Sequence, residues 1–481
     1  MPTDEPKLER TLTLRGAVTL NLLDMIGVGP FLTLPLLIGA MGGAQAMVGW
    51  VLGAGLAVCD GMVWAELGAA MPEAGGTYAY LKEIYPGRVG RWLSFLFAFQ
   101  LLLSAPLSVA RGCLGLAQYA GGLLPGLQAH GVRHVARVGG ISVGVGADRG
   151  TAIAIGAVVL ALVLLYRNLT GVRRLAQGLL VVVLGTMAWA VVTGLWRGHL
   201  GQAIAVSPGA FRLDHGFFAG LAAAMLLATY DYWGYYNVTF LGGEAREPER
   251  TIPRAVLLSI GMVAGLYLLL NVSVLAVMGA PALIRAGQGG EPLLSRFMEA
   301  AYGPLLGQRA GVVLGKVAAV LVMITAFGSV FSLLLGYSRI PFAAARDGNF
   351  PRVFGRLHPT RGFPYVSLLV LAGVAGVCCF FSLGEVIAAL VVLRIVLQFS
   401  LQHVGVMMLR ARRPEMRRPF RMWMYPLPPA VALVGFGYIV FVRRGSAREL
   451  MLAVLVVLAG SAVFWLRGQS GDIRGGAERV L

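Results

Sequence analysis

Charged residues are scarce in this chain of 481 residues, at 13% of the total, whereas soluble domains carry about 25%. Hydrophobic residues make up 57% of the chain, and the mean hydropathy is +0.76. This balance excludes an ordinary soluble enzyme, and it excludes an intrinsically disordered chain because such chains are polar. The long apolar runs instead predict an all-α, polytopic membrane protein with the lipid bilayer as its solvent.

Cysteine is also rare, with four residues, so a disulfide scaffold is excluded. The six histidines are scattered, and the chain contains no C-x-x-C, H-E-x-x-H, P-loop or G-x-S-x-G motif. We therefore expect no metal ion, no cofactor and no catalytic residues. The protein is not predicted to be an enzyme.

Acidic residues are few relative to basic ones, 22 against 40, which gives a formal net charge of +18. In a soluble protein this excess would raise the question of nucleic acid. Here the basic residues lie mostly between apolar runs. These runs predict twelve transmembrane helices, numbered spans 1 to 12, at residues 16–40, 44–71, 91–121, 150–166, 175–196, 216–243, 255–279, 309–338, 364–382, 384–409, 425–442 and 449–466.

The distribution of the basic residues predicts the orientation of the chain. With the N-terminus in the cytoplasm, 26 of the 40 basic residues lie on that side and 11 on the other. Short cytoplasmic loops are enriched in Lys and Arg, so both termini are predicted to be cytoplasmic. Nucleic acid is not an expected partner, and the protein is predicted to lie in the cytoplasmic membrane as a multi-pass protein.

Two spans are interrupted near the middle of the membrane. Span 1 contains Gly27-Val28-Gly29-Pro30-Phe31, where two glycines and a proline weaken the helix and remove a hydrogen bond. Span 6 contains a polar and aromatic insert from Thr229 to Asn237. Breaks in spans 1 and 6 predict a five-plus-five inverted repeat with the substrate between the breaks. Because half-helix ends present N–H groups on one side and carbonyls on the other, such a site suits a zwitterion.

The repeat also predicts the organisation of the whole chain. The predicted segments are a cytoplasmic N-terminal segment at 1–15, the first repeat at 16–196, the second repeat at 216–409, a basic cytoplasmic loop at 410–424, two additional C-terminal helices at 425–466 and a cytoplasmic tail at 467–481.

Five motifs lie at the breaks or cytoplasmic ends of these spans. They are Gly27-Val28-Gly29-Pro30-Phe31; Trp64-Ala65-Glu66-Leu67-Gly68 with Pro72-Glu73-Ala74-Gly75-Gly76-Thr77-Tyr78; Gly243-Glu244 with Glu247-Pro248-Glu249-Arg250-Thr251-Ile252-Pro253-Arg254-Ala255; Ser338-Arg339 with Ala345-Arg346-Asp347-Gly348; and Arg413-Pro414-Glu415 with Arg418-Pro419-Phe420-Arg421. With these motifs the chain resembles the amino acid-polyamine-organocation transporters over about residues 14–430. The resemblance implies a twelve-helix fold with a five-helix inverted repeat.

In that family, the glycine motif of the first helix offers N–H groups to the substrate carboxylate, and carbonyls at the sixth-helix break receive the amino group. The resemblance therefore assigns substrate binding to two groups of residues. They are Gly27, Val28, Gly29 and Phe31 at the first break, and Tyr230, Asp231, Tyr232, Trp233 and Gly234 at the second.

Pro30 and Asp231 leave the substrate class open between an amino acid and a polyamine. Pro30 stands where many amino acid carriers have a residue with a free N–H, and a Gly-Gly-Pro-Phe variant is typical of the plant polyamine uptake branch. A carboxylate in the bilayer is by default a functional hypothesis. Asp231 either binds a substrate cation or forms an internal ion pair with Arg111, Lys316 or Arg394, the basic residues inside spans.

Tyr230 and Lys316 are the candidates for gating and coupling. Tyr230 occupies the position where the similar L-type amino acid transporters carry an aromatic gate, and core packing is its alternative role. Lys316 is the only lysine inside a span, and a desolvated lysine can relay a proton or replace a coupling cation. Its alternative is a lysine that reaches toward the membrane surface. The coupling lysine of similar transporters lies in the fifth helix, but 175–196 contains no ionisable residue.

These observations predict a secondary active transporter that moves an amino acid by alternating access. It is predicted to be coupled to H+ or Na+ or to work as an exchanger. A polyamine or other organic-cation carrier of the same fold and a non-transporting membrane sensor are the alternatives.

Overall fold

The computed structural model describes residues 8–123, 134–138, 141–167, 169–206, 209–289, 292–382, 384–442 and 446–477. Helices dominate this part of the chain. The α-helices are α1 Leu14–Met25, α2 Gly29–Met41, α3 Met47–Ala70, α4 Thr77–Ile84, α5 Gly87–Leu123, α6 Arg149–Leu165, α7 Leu169–Arg197, α8 Leu200–Ala203, α9 His215–Tyr232, α10 Asn237–Phe240, α11 Pro248–Gly289, α12 Leu293–Leu306, α13 Gln308–Tyr337, α14 Arg339–Arg346, α15 Tyr365–Cys378, α16 Gly384–Arg394, α17 Leu401–Arg412, α18 Leu427–Val442 and α19 Ser446–Ala477.

Little of the described chain lies outside α-helices. A π-helix, Ile395–Ser400, joins α16 to α17. The strands β1 His134–Val138, β2 Ile141–Val145 and β3 Phe381–Ser382 form one small antiparallel sheet in that order. The predicted all-α class is therefore confirmed.

The membrane-crossing segments can be counted from length and hydropathy. Among the described residues, seven helices are long and apolar enough to cross a membrane, and the bent pair α1 and α2 adds an eighth. The apolar helices α6, α15 and α18 are shorter, and α9 with α10 corresponds to predicted span 6. A multi-pass membrane protein is therefore confirmed, whereas the count of twelve spans stays a prediction.

Several helices extend beyond the predicted spans. Helix α11 covers 42 residues against the predicted 255–279, and it is kinked at Gly279, whose φ is 72°. Helix α19 continues to Ala477, into the predicted tail at 467–481. Hydropathy identifies only the apolar part of a helix, whereas the backbone hydrogen bonds continue into polar residues at either end. Residues 1–7 and 478–481 of the predicted terminal segments lie outside the described residues.

The predicted break in span 1 is confirmed. Helix α1 ends at Met25, α2 begins at Gly29, and the two are bent by 46°. Pro30 is the second residue of α2. Its missing N–H costs no hydrogen bond there, because the first N–H groups of a helix have no partner within the helix.

The second break is narrower than the polar insert that predicts it. Helix α9 continues to Tyr232, so the non-helical residues are Trp233 to Tyr236. Gly234 has a φ of 123°, which L side chains rarely adopt, and a Cβ there would lie 2.8 Å from the backbone nitrogen of Met25. Both its conformation and the close approach of α1 therefore require glycine at this position.

Side-chain hydrogen bonds hold the two broken helices together. Buried Asn21 in α1 donates to the Tyr235 carbonyl at 2.6 Å and accepts from the Val238 N–H at 3.0 Å. At the end of α1, Tyr267 donates to the Met25 carbonyl at 2.6 Å. These contacts satisfy backbone groups that a broken helix leaves without partners.

Candidate functional site

A cavity of about 100 Å³ lies between the two breaks. Its walls come from α1, α2 and α9 with the residues that follow them, and from α5, α13 and α16. The lining residues are Asp24, Met25, Gly27, Val28, Gly29, Leu32, Thr33, Ser108, Arg111, Gly112, Tyr230, Asp231, Trp233, Gly234, Tyr236, Ala326, Ser329, Leu333, Tyr337 and Arg394.

Seven of the nine predicted substrate-binding residues line this cavity, and two do not. Phe31 is 1% exposed and packs in the hydrophobic core. Tyr232 is buried against Trp50 and Tyr267, with ring centroids 5.5 and 5.6 Å away. Successive residues of an α-helix are rotated by about 100°, so Tyr232 points away from the cavity that its neighbour Asp231 faces. Side-chain contact with substrate is therefore not supported for Phe31 or Tyr232.

Two backbone N–H groups are free at the first break. Within the described residues, the N–H groups of Val28 and Gly29 donate to no backbone carbonyl. The Gly27 N–H bonds to the Met25 carbonyl and the Phe31 N–H to the Val28 carbonyl, each at 3.2 Å. The free pair lies at the positive end of the α2 dipole, which favours an anion.

Backbone carbonyls are free at the second break. The Trp233 N–H bonds to the carbonyls of Thr229 and Tyr230 at 3.2 and 3.3 Å. In the part of the chain that the structure describes, the carbonyls of Asp231, Tyr232 and Trp233 accept no backbone hydrogen bond. They lie at the negative end of the α9 dipole, which favours a cation.

Asp231 is 4% exposed and is held by α2 rather than by a basic residue. One carboxylate oxygen accepts a hydrogen bond from the Thr33 hydroxyl. The other faces Gly29 and has no hydrogen-bond partner among the described residues. The internal ion pair with Arg111, Lys316 or Arg394 is therefore not formed in this part of the structure. The first turn of α2 stabilises the carboxylate through its dipole and through Thr33.

Two arginines, Arg111 and Arg394, line the same cavity as Asp24 and Asp231. The Arg111 guanidinium lies 5.1 Å from the Tyr230 ring centroid. Arg394 lies 5.6 Å from the Trp233 ring centroid and donates to the Ser104 hydroxyl at 3.1 Å. With Asp24 and Asp231, these side chains balance the formal charge of the cavity.

The sequence alone does not bring these groups together. Arg111 and Arg394 are recognisable as charged residues inside spans, which is a signal of function, but their shared cavity depends on tertiary packing. Asp24 is a further charged residue within a span, and none of the sequence motifs includes it. The Thr33 contact with Asp231 joins residues 198 positions apart in the chain, and no local pattern indicates it.

Tyr230 lines both the main cavity and a smaller one, as Ser108 and Arg394 do. Its ring packs against Trp233 at 5.6 Å, below the guanidinium of Arg111. The smaller cavity, of about 10 Å³, lies between α5 and α16 and is also lined by Tyr230 and Arg394. A bulky side chain that lines both cavities is well placed to act as a gate, although the role itself stays a prediction.

Lys316 lies away from the cavity, on an exposed face of α13. Its neighbours Val313, Val317 and Val320 are exposed as well, so this is a face of the kind that contacts lipid. Lys316 therefore does not line the central cavity, and both of its possible roles stay predictions.

A larger cavity, of about 340 Å³, lies on the predicted cytoplasmic side. Glu244 and Arg339 both line it and form a buried ion pair at 2.8 Å. The N-terminal segment covers one side of this vestibule, because the Leu12 N–H donates to the Glu244 carbonyl at 2.8 Å. The protein therefore has a central site and a separate vestibule on the predicted cytoplasmic side.

Comparison with known proteins agrees with this architecture. The family model described as amino acid permease matches residues 12–462. The serine/threonine exchanger SteT of Bacillus subtilis (strain 168) is 24% identical over 473 residues, which cover 97% of this chain and 98% of that protein. Asc-type amino acid transporter 1 of Mus musculus is 25% identical over 473 residues, 95% of this chain and 81% of that protein.

An uncharacterized transporter of Mycobacterium tuberculosis is 30% identical over 378 residues, 78% of this chain and 74% of that protein. The family match spans both broken helices and all of the motifs on which the resemblance rests. The chain therefore belongs to the amino acid permease family, and it is a membrane transporter of amino acids rather than an enzyme.

Proposed function

We propose that this protein carries a small neutral amino acid across the cytoplasmic membrane by alternating access, with both termini in the cytoplasm. The observation that carries the proposal is the pair of opposed helix ends. Free N–H groups of Val28 and Gly29 face the cavity on one side, and the free carbonyls of Asp231 to Trp233 lie on the other. A zwitterion is the ligand whose two charges match these ends.

The cavity dimensions support a small side chain. Pockets for drug-sized ligands measure about 300–1,000 Å³, whereas this cavity measures about 100 Å³. The hydroxyls of Thr33, Ser108 and Ser329 line it, so short polar side chains find hydrogen-bond partners there. The name of SteT, a serine/threonine exchanger, supports the same class.

The charges of the cavity weigh against a polyamine. A polyamine carries several cations and no carboxylate, and it would meet the guanidinium groups of Arg111 and Arg394 in the same cavity. Like charges in a site of low dielectric repel strongly. The two carboxylates, Asp24 and Asp231, only balance the arginines, so little net negative charge remains to attract a polycation.

Tyr230 and the Glu244–Arg339 pair supply the two barriers that alternating access requires. Tyr230 lines both the central cavity and the small cavity beside α16. The buried Glu244–Arg339 pair closes the predicted cytoplasmic side. We infer that one barrier opens while the other stays closed, which moves the bound zwitterion without a continuous pore.

The test is uptake by the purified protein in proteoliposomes. Labelled serine should enter with saturable kinetics, and unlabelled serine, threonine and alanine should compete. Lysine and spermidine should compete poorly. Spermidine uptake in place of serine uptake would establish the organic-cation carrier, and saturable serine binding without any flux would establish a sensor.

A further inference from the structure

Arg111 in α5 is a cation of the central cavity that has no anionic partner. It lines the cavity and is half-buried there. Its guanidinium carbon lies 5.1 Å from the centroid of the Tyr230 ring. Among the described residues, the guanidinium donates no hydrogen bond and forms no ion pair. An unpaired charge within a membrane span is costly, so a guanidinium without an anion indicates a function.

The second arginine of the cavity differs, because its guanidinium has partners. Arg394 is 5% exposed. It donates to the Ser104 hydroxyl at 3.1 Å and to the Tyr337 hydroxyl at 3.4 Å. Arg111 is therefore the arginine of this cavity whose N–H donors remain available to a ligand.

The two carboxylates of the cavity do not provide the missing partner. Oδ2 of Asp24 and Oδ1 of Asp231 each lack a hydrogen-bond partner in the part of the chain that the structure describes. The second oxygen of Asp231 accepts from the Thr33 hydroxyl in α2. Oδ1 of Asp231 lies against Gly29, because a Cβ on that glycine would overlap it. The Asp231 carboxylate is thus directed to α2 and not to Arg111.

The position of Asp231 also limits what the first break offers to a substrate. The N-terminus of a helix carries about half of an elementary positive charge, whereas an ionised carboxylate carries a whole negative charge. Asp231 therefore more than offsets the dipole of α2 at Gly29. A substrate carboxylate at the N–H groups of Val28 and Gly29 needs a further positive charge, and Arg111 lines the same cavity.

A guanidinium is well suited to this task. Its planar fork of N–H groups makes two parallel hydrogen bonds to a carboxylate, and it stays protonated in surroundings of low dielectric. The contact with Tyr230 uses the positive charge of Arg111 but none of its N–H donors. The carbonyls of Asp231, Tyr232 and Trp233 remain for the amino group of the substrate.

We propose that the Arg111 guanidinium binds the carboxylate of the substrate, together with the N–H groups of the first break. The proposal rests on the proposed function, because it assigns a side-chain partner to the anionic end of the transported amino acid. It makes Arg111 a specificity-determining residue. An amine without a carboxylate leaves the guanidinium unpaired, so the site selects against such an amine.

The test measures binding to the purified protein and does not depend on transport. A ligand that binds the folded state raises the midpoint of thermal unfolding with its concentration, which yields an apparent dissociation constant. The ligands are serine and ethanolamine, which is serine without its carboxylate. The wild type should bind serine more tightly than ethanolamine. Arg111→Gln should weaken serine binding by about 10- to 100-fold, the loss expected for a hydrogen bond to a charged group, and ethanolamine binding by no more than about threefold.

The matched control is Arg197→Gln. Arg197 is also half-buried and lies 5.7 Å from the centroid of an aromatic ring, that of Trp196, but it does not line the cavity. This variant should bind both ligands as the wild type does. Arg111→Lys keeps the positive charge but loses the planar fork, so its preference for serine over ethanolamine should fall by only about 3- to 10-fold. This second variant decides the question if Arg111→Gln yields no folded protein.

Three results would overturn the proposal. Unchanged serine binding in Arg111→Gln would place the substrate carboxylate elsewhere. Equal weakening of serine and ethanolamine would mean that Arg111 acts only through the Tyr230 ring. Tighter binding of aspartate than of serine by the wild type would assign Arg111 to a side-chain carboxylate. Absence of serine binding and serine uptake in the wild type would instead contradict the proposed function, so the two failures are distinguishable.

Discussion

Replacing Gly29 by alanine tests whether the first break binds the substrate. A Cβ at Gly29 would overlap Oδ1 of Asp231 and lie 3.2 Å from its Cγ. The carboxylate would have to turn into the cavity and give up the hydrogen bond from Thr33. It would then occupy the space of the substrate in the cavity.

The size of the effect follows from the loss of the hydrogen bond between Thr33 and Asp231. A hydrogen bond to a charged group contributes about 1.5–3 kcal/mol, and every 1.4 kcal/mol is about a factor of ten in affinity. Gly29→Ala should therefore weaken the apparent affinity for serine by roughly 10- to 150-fold. The protein should still purify as a stable monodisperse species.

The assay is serine uptake at varied concentration, with Gly39→Ala as the matched control. Gly39 lies in the same helix, and a Cβ there meets no atom within 4 Å. The double variant Gly29→Ala with Asp231→Ala removes the obstacle, so its affinity should match Asp231→Ala alone within about 0.5 kcal/mol. Normal affinity in Gly29→Ala, or the same loss in both backgrounds, would refute the collision with Asp231.

Further predictions concern the gate, the buried carboxylate and the exposed lysine. Tyr230→Phe should retain uptake, because the ring next to Arg111 remains. Tyr230→Ala removes that ring and should reduce uptake by about 2- to 30-fold, which corresponds to a cation–π contact of roughly 0.5–2 kcal/mol. Equal uptake by the two variants would place the gate elsewhere. Asp231→Asn should express normally and transport neutral amino acids with only a modest loss, because the substitution breaks no ion pair in the described structure. A collapse in protein yield that is rescued by neutralising Arg111 or Arg394 would contradict this. Lys316→Gln should leave uptake and its pH dependence unchanged, and a loss of gradient-driven accumulation would restore this lysine as a coupling residue.

Both helix breaks could be predicted from local sequence. Glycine and proline act on the backbone of their own residues, so Gly27 to Pro30 identify the first interruption without any knowledge of the fold. The boundaries of the second break could not be predicted as well. Tyr230 and Asp231 are polar but remain helical, because contacts from α2 and α5 accommodate their side chains in the last turn of α9.

The side-chain partners of the site could not be predicted, because they come from distant parts of the chain. Asp60 and His403 are separated by more than 300 residues and meet only through the packing of α3 against α17. From the sequence, Asp60 is a single charged residue in an apolar run, and His403 follows Gln402 within a predicted span. Asp231 shows the same limit of sequence-based prediction. Its predicted partners were a substrate cation or a basic residue, whereas its partner in the structure is Thr33. A hydroxyl in an apolar helix gives no distinctive signal in the sequence.

The π-helix at Ile395–Ser400 has a consequence for how α16 and α17 can move. It lies between Arg394, which faces the central cavity, and His403, which faces Asp60. A π turn contains one residue more than an α turn, so its conversion to α-helix shifts the register of the following segment by one residue, about 100° of rotation and 1.5 Å of rise. Only the few backbone hydrogen bonds of that turn need to exchange, and the Ser400 hydroxyl, which donates to the Ile395 carbonyl at 2.9 Å, lies in the same turn. Such a conversion would rotate α17 relative to α16 about their common axis and shift it along that axis, without bending or unfolding the helix in the membrane.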